Sequence, residues 1–63
     1  EALYLKAKIH AKLNHFDEFI EVVAEITSLD PNGIQVFMEE MKDFTANIPD
    51  FEEKLNRAIQ QFS

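Results

Sequence analysis

The stretch from His15 to Gly33, HFDEFIEVVAEITSLDPNG, decides the fold of this 63-residue chain. It opens on Phe-Asp-Glu, in the manner of a capped helix, and its apolar residues recur with helical spacing. The Asp-Pro-Asn-Gly sequence at 30–33 then breaks the helical pattern. The stretch predicts a helix over 16–29 that ends at a turn, and the rest of the chain indicates whether this unit is repeated.

Three further helices are predicted, near 2–13, 33–46 and 50–62. In the last of them the apolar residues fall at i, i+4, i+7, i+8 and i+11 from Phe51, which makes a single apolar stripe. Pro49 suits the start of this helix, and acidic residues crowd its first turn. Because the chain has one glycine and two prolines and no strand-like alternation, the predicted fold class is all-α.

Composition and charge exclude several classes of protein. The net charge of −6 argues against nucleic-acid binding, which needs a basic surface. The absence of cysteine excludes disulfides and thiolate metal sites and leaves the redox compartment open. No apolar run has membrane-spanning length and no signal peptide is visible, which favours an intracellular location. The charge is uneven, since residues 1–16 carry +2 and residues 17–63 carry −8.

The first predicted helix has two apolar sides. One side consists of Leu3, Tyr4, Ala7 and Ala11. A helix that is apolar on two sides is usually packed on two sides, and the second helix covers only one of them. We therefore expect the other side to bind a second copy of the chain or further repeats of a larger protein. The residues of this predicted association face are Ala2, Leu5, Ile9 and Leu13.

A shift of 34 residues relates the two halves of the chain. It places Lys8 on Lys42. If one extra residue is allowed in the loop at 46–49, Phe16 then aligns with Phe51. Self-similarity at such a period is typical of repeat architectures. The chain is therefore predicted to be a single domain over 1–63, made of two antiparallel helical hairpins, 1–30 and 33–62.

Residues 1–33 resemble the tetratricopeptide repeat, whose period is 34 residues. Residues 34–62 resemble a second, degenerate copy, in which Met41 replaces a small residue and the closing proline is missing. The resemblance implies a fragment of an α-solenoid that belongs to a larger protein. The features that carry it are EALY at 1–4, the small Ala7 at the helix crossing, FDE at 16–18, Ile20-Glu21 and LDPN at 29–32.

The helical pattern has two other interpretations. A four-helix bundle can match this pattern by chance, because helical hairpins of this length are common and Asp-Pro is an ordinary helix stop. The sequence VFMEEMK at 36–42 is similar to the second helix of RNA-binding pentatricopeptide repeats. Its register conflicts with the first half of the chain and the net charge has the wrong sign for RNA, so we reject it.

Residues of catalytic or metal-binding type do not form a recognisable site. His10 and His15 are five residues apart, nearly opposite on a helix, and His15 lies in the predicted loop between the helices. As they lack facing geometry and a third ligand, no metal or other cofactor is expected. Asp17, Glu21 and Glu25 share one helix face, but the Glu-x-x-His pair of di-metal bundles is missing, so we expect a solvated acidic face. Without a cysteine, an activated serine or a glycine-rich phosphate loop, the chain is not expected to be an enzyme.

In the tetratricopeptide family, the first helix of each hairpin lines a concave groove. Three of the six basic residues of the chain would point into this groove, beside two apolar contacts, which suits an acidic or carboxylate-bearing peptide. The alternative is that these lysines only solubilise the helix. Carried over by position, the groove residues are Tyr4, Lys8, Ala11 and Lys12 from the first hairpin and Met38, Lys42 and Thr45 from the second.

The sequence therefore predicts a non-catalytic protein-interaction module that binds a peptide or partner helix in this groove. The rival prediction is a structural one, an oligomerisation or capping bundle that supports a neighbouring domain. Covering of the association face by a second copy favours the rival, and an open lysine groove favours peptide binding.

Overall fold

Five helices make up the described part of the chain, and the second of them is central. A computed structural model describes residues 2–62, with only the backbone of Ala2. The second helix makes its most extensive contacts with the first and the last, and smaller contacts with the third. These residues contain no strand, which confirms the all-α prediction. The helices are α1 (Ala2–Lys12), α2 (Phe16–Leu29), α3 (Pro31–Glu40), α4 (Lys42–Thr45) and α5 (Phe51–Gln61).

The buried face of α2 is wider than a single stripe. Such a face suits a helix with neighbours on several sides, because each neighbour covers a different sector. Full burial of a large aliphatic or aromatic side chain contributes about 1.5–3 kcal/mol, so this helix supplies much of the stability of a small domain. Its buried residues are Phe19, Ile20, Val22, Val23, Ala24 and Ile26.

A left-handed residue reverses the chain between α1 and α2. Asn14 has φ 60°, a conformation that asparagine tolerates better than most residues. The amide of His15 donates to the carbonyl of His10 at 2.9 Å, and the amide of Asn14 donates to the carbonyl of Ala11 at 3.1 Å. This pair of hydrogen bonds is the Schellman motif, which satisfies the last carbonyls of the helix.

A single residue, Asp30, separates α2 from α3. Its side chain accepts a hydrogen bond from the amide of Gly33, and Pro31 occupies the first helical position. An aspartate N-cap followed by proline is a strong helix start, since proline lacks the amide that would go unpaired there. The predicted start of the third helix at 33 was wrong for this reason.

The third helix is also interrupted, at Met41, where a continuous helix to 46 was predicted. Met41 has φ −99° and ψ 10°. Its amide still donates to Phe37 and its carbonyl accepts from Thr45, so the break leaves neither group unpaired. The change of direction comes before Phe44, which packs edge-on against Phe19 with ring centroids 5.0 Å apart. Tertiary packing here accompanies a departure from the local helical pattern.

The last helix packs chiefly against α2, and its contacts with α3 are fewer. It starts after Asp50, which has φ 56° and provides no side-chain cap. Ala58 is buried, and Phe51, Leu55 and Ile59 of its stripe pack partly against the core. Phe62, predicted to end that stripe, follows the last residue of the helix and is exposed.

An aromatic cluster centred on Phe19 joins the helices. The ring of Phe19 lies 6.5 Å from that of Phe37, 5.0 Å from Phe44 and 6.4 Å from Phe51. Aromatic pairs at such separations contribute about 0.5–1.5 kcal/mol beyond their burial. One side chain of α2 therefore contacts α3, α4 and α5 together.

Replacing Phe19 by alanine is expected to lower the free energy of unfolding by about 3–5 kcal/mol, because Phe19 is 0 % exposed and its removal leaves a cavity. The matched control is Phe62→Ala, since Phe62 is 47 % exposed and its loss should cost within about 0.5 kcal/mol. Urea unfolding followed by circular dichroism measures both, and Phe19→Leu should fall between them if the alanine variant does not fold. Equal midpoints for the two alanine variants would contradict this role of Phe19.

Candidate interaction surface

The outer side of α1 carries an exposed aliphatic stripe, which we define as Leu5, Ile9 and Leu13. These side chains are 61 %, 48 % and 58 % exposed. They are spaced four residues apart, and the amide of Leu13, just past the end of α1, still donates to the carbonyl of Ile9 at 3.1 Å, so all three lie on one face. The face opposite them holds Ala7 and Ala11, both buried against the core. The stripe is the described part of the predicted association face, and the side chain of Ala2 lies outside the described residues.

Lysines border the stripe on both sides. By helical position Lys8 and Lys12 lie along one border and Lys6 along the other. All three are exposed, and within residues 2–62 none of them forms an ion pair. The outer surface of α1 is therefore an apolar strip between cationic groups that are free to meet carboxylates.

A hollow of 210 Å³ lies between α1 and α3. Tyr4 and Lys8 enter it from α1, and the exposed Val36 enters it from α3. Glu40 also lines it, so Lys8 faces one acidic residue of its own chain there. This hollow brings together two of the predicted groove residues, Tyr4 and Lys8.

A separate hollow of 460 Å³ holds two other predicted groove residues, Met38 and Lys42. Its walls include Thr27 of α2 and Leu55 and Ile59 of α5, so it opens between helices other than α1. The structure thus places the two pairs of residues in two hollows. Of the remaining groove residues, Lys12 is exposed at the end of α1, Ala11 is buried, and Thr45 donates its hydroxyl to the carbonyl of Lys42 at 3.1 Å.

One carboxylate ties α1 to the corner between α2 and α3. Asp30 accepts a hydrogen bond from the Tyr4 hydroxyl at 3.1 Å through Oδ2, and one from the Gly33 amide at 3.1 Å through Oδ1. A Cβ at position 33 would fall on the Asp30 carboxylate and lie 2.7 Å from the Tyr4 hydroxyl. Glycine is therefore the residue that leaves room for this junction.

The junction also changes the acidity of Tyr4. Partial desolvation, then the hydrogen bond to Asp30 and the negative charge of Asp30, raise the pKa of the hydroxyl above its ordinary value of 10.0. These effects favour the neutral phenol, because an ionised Tyr4 would face a carboxylate. Tyr4 therefore holds α1 against the rest of the chain in two ways. Its hydroxyl donates to Asp30, and its ring packs edge-on against that of Phe37, with centroids 5.3 Å apart.

His10 and His15 face each other, contrary to the sequence-based expectation. Their Nδ1 atoms are 3.3 Å apart and their ring centroids 5.5 Å apart. The expected lack of facing geometry was wrong because helical periodicity does not give the direction in which the loop turns. His15 lies beyond the end of α1, and the left-handed Asn14 folds it back towards His10.

The acidic residues of α2 do not form a metal site in the structure. Asp17 and Glu21 line a hollow of 370 Å³ together with Lys54 and Arg57 of α5. Among the described residues, no group of three or more histidines and carboxylates is placed to hold a metal ion. The acidic face of α2 therefore lies beside basic residues of α5, a complementarity that the sequence alone did not reveal.

Comparisons with models of known protein families, with curated proteins and with solved structures each find no match. Among residues 2–62, no helix has both the length and the apolar character needed to cross a membrane.

The titration of Tyr4 tests the Asp30 junction directly, because the chain has a single tyrosine. Since the folded-state pKa is raised, the stabilisation from Tyr4 is fully present below the ordinary pKa and is lost as pH rises through the raised value. We expect Asp30→Asn to lower the pKa measured from phenolate absorbance, and urea to return it to the ordinary value. An unchanged pKa in Asp30→Asn would contradict the junction.

Proposed function

We propose that the chain is a non-catalytic protein-interaction module that binds an acidic peptide or partner helix through α1. The observation that carries this proposal is the inverted arrangement of α1. This helix directs the small Ala7 and Ala11 to the core, with Leu3 partly buried beside them, and exposes the three aliphatic residues of the stripe. A helix that served only the core would bury its large side chains and expose its small ones.

The architecture we propose is a pair of helical hairpins similar to the tetratricopeptide repeat, within a larger protein. Three features support it: the buried Ala7 at the contact with α2, the left-handed Asn14 at the position where glycine is usual, and the Asp30-Pro31 corner. The packing of α5 chiefly on α2 would then be a departure from an ordinary second hairpin.

Charge selects the class of partner. The stripe lies between Lys6 on one border and Lys8 and Lys12 on the other, while the chain as a whole carries −6. A partner helix with an apolar face between carboxylates matches both the stripe and its borders. Rim charges of this kind act mainly on the rate of association and on specificity, so binding should weaken as salt is added.

The size of the stripe limits the affinity that it provides alone. Burying the exposed parts of three aliphatic side chains contributes about 2–5 kcal/mol, against about 8 kcal/mol for a micromolar complex. A partner that binds at micromolar concentration must therefore also use the lysines or the neighbouring hollow. Tyr4, Lys8 and Val36 of the hollow offer that second contact area, and Lys8 also borders the stripe.

Self-association is the second candidate function, and the same exposed stripe favours it. A second copy or a preceding helix that covered the stripe would remove its aliphatic groups from water. In a symmetric contact between two α1 helices, however, the lysine borders of the two copies would approach each other. Like charges placed together are unfavourable, so an acidic partner fits the borders better than a second α1 does.

Self-association is tested by sedimentation of the isolated chain over a concentration series. If the stripe mediates it, Leu5→Lys combined with Ile9→Glu should give a folded monomer, because burying charges opposes the contact. Leu29→Lys is the matched control, since Leu29 is 68 % exposed on α2, outside the stripe, and its replacement should leave association unchanged. A wild-type chain that stays a well-folded monomer at high concentration would contradict this candidate.

Partner binding is tested with a synthetic amphipathic helix whose leucine face is bordered by glutamates. Binding should perturb the NMR signals of the stripe, and a control peptide with lysines in place of glutamates should not bind. Lys8→Glu should weaken binding, whereas Lys42→Glu should not, because Lys42 lies at the other hollow. Equal loss in both variants would support the wider groove of the repeat alignment. Unchanged binding in both would contradict recognition by charge.

A further inference from the structure

The histidine pair at the end of α1 is a chelating arrangement that the proposed function does not use. The two Nδ1 atoms lie 3.3 Å apart, which in the metal-free chain is a hydrogen bond between one protonated and one unprotonated nitrogen. His10 is half-buried and His15 is exposed. The two nitrogens therefore lie close together at a place that solvent reaches.

The backbone holds the two imidazoles in place. The amide of His15 donates directly to the carbonyl of His10 at 2.9 Å, so the backbones of the two residues are joined by one bond of the Schellman motif. The φ of 60° at Asn14 between them fixes the direction of the turn. Little ordering is left for a ligand to impose on the pair, which favours binding.

The separation of the nitrogens matches one metal geometry better than another. Zinc binds imidazole nitrogen at about 2.0–2.1 Å, and tetrahedral bond angles then separate two ligand nitrogens by about 3.3–3.4 Å. Right-angled bonds of the same length, as in square-planar copper sites, would require about 2.9 Å. We infer that His10 and His15 form an open, two-imidazole site for Zn²⁺.

The surroundings make this site an open one. Among the described residues no third histidine or carboxylate completes it, so the remaining positions belong to water or to an external ligand. Lys6, one turn before His10, adds an unfavourable positive charge on the same side of the helix. Binding should accordingly be weaker than at a structural zinc site with four protein ligands.

The experiment is a titration of the nitrogen-15-labelled chain with zinc chloride, followed through the imidazole ring nitrogens. In the wild type, the Nδ1 signals of both histidines should shift along one binding curve. His10→Ala and His15→Ala should each reduce the affinity by more than the about 10–100-fold typical of losing an outer-shell partner, because a ligand itself is lost. Addition of EDTA should reverse the shifts and leave the helical circular dichroism unchanged, because the apolar core forms without the metal.

Two control variants separate this site from general attraction of zinc to an acidic protein. Asn14→Gly should retain the affinity, since glycine supports the same left-handed turn. Asp17→Asn should also retain it, because Asp17 lines the hollow beside Lys54 and Arg57 and does not join the two histidines in a group of three possible ligands. Equal zinc affinity in His15→Ala and in the wild type, or shifts confined to one histidine, would overturn the inference.

Discussion

The burial of Phe19 is the constraint on which the rest of the structure depends. Its ring is fully enclosed and contacts the rings of Phe37, Phe44 and Phe51, which belong to three other helices. A 63-residue chain buries little apolar surface, so one aromatic centre shared by several helices buries more of it than separate pairwise contacts would. The break at Met41 and the packing of α5 on α2 both serve to bring rings to this centre.

The position of α1 follows from that centre. Because α2 and the aromatic cluster fill the core, α1 is attached through the small Ala7 and Ala11, the partly buried Leu3 and the Tyr4 junction. The small residues allow a close approach to α2, and the aliphatic residues of the stripe lie on the opposite, outer face of α1. The surface that we assign to partner binding is in this sense a consequence of how the core is filled.

Periodicity in the sequence predicted the parts of the fold that depend on local pattern. The bounds of α2 and the exposed outer side of α1 follow from the spacing of the apolar residues. The early start of α3 depends on the capping geometry of Asp30, for which the Asp-Pro sequence was an available signal.

Other features depend on tertiary structure and carried no local signal. The interruption at Met41 coincides with the packing of Phe44 on Phe19, which is a contact between residues distant in sequence. The residues of the predicted groove lie in two separate hollows. The repeat alignment matches residues of the first hairpin with residues of the second, but it does not determine how the helices pack. The approach of His10 to His15 required knowing the direction of the turn between them.

The exposure of the stripe in the folded chain is the central claim, and solvent paramagnetic relaxation of methyl signals measures it most directly. A soluble paramagnetic agent broadens the signals of methyl groups that it reaches and spares those that are buried. At low protein concentration, the methyl groups of Leu5, Ile9 and Leu13 should be strongly broadened, and those of Val23 and Ile26 should not. Protection of the stripe to the level of Val23 in the dilute chain would show that another segment covers it, and would contradict its availability to a partner.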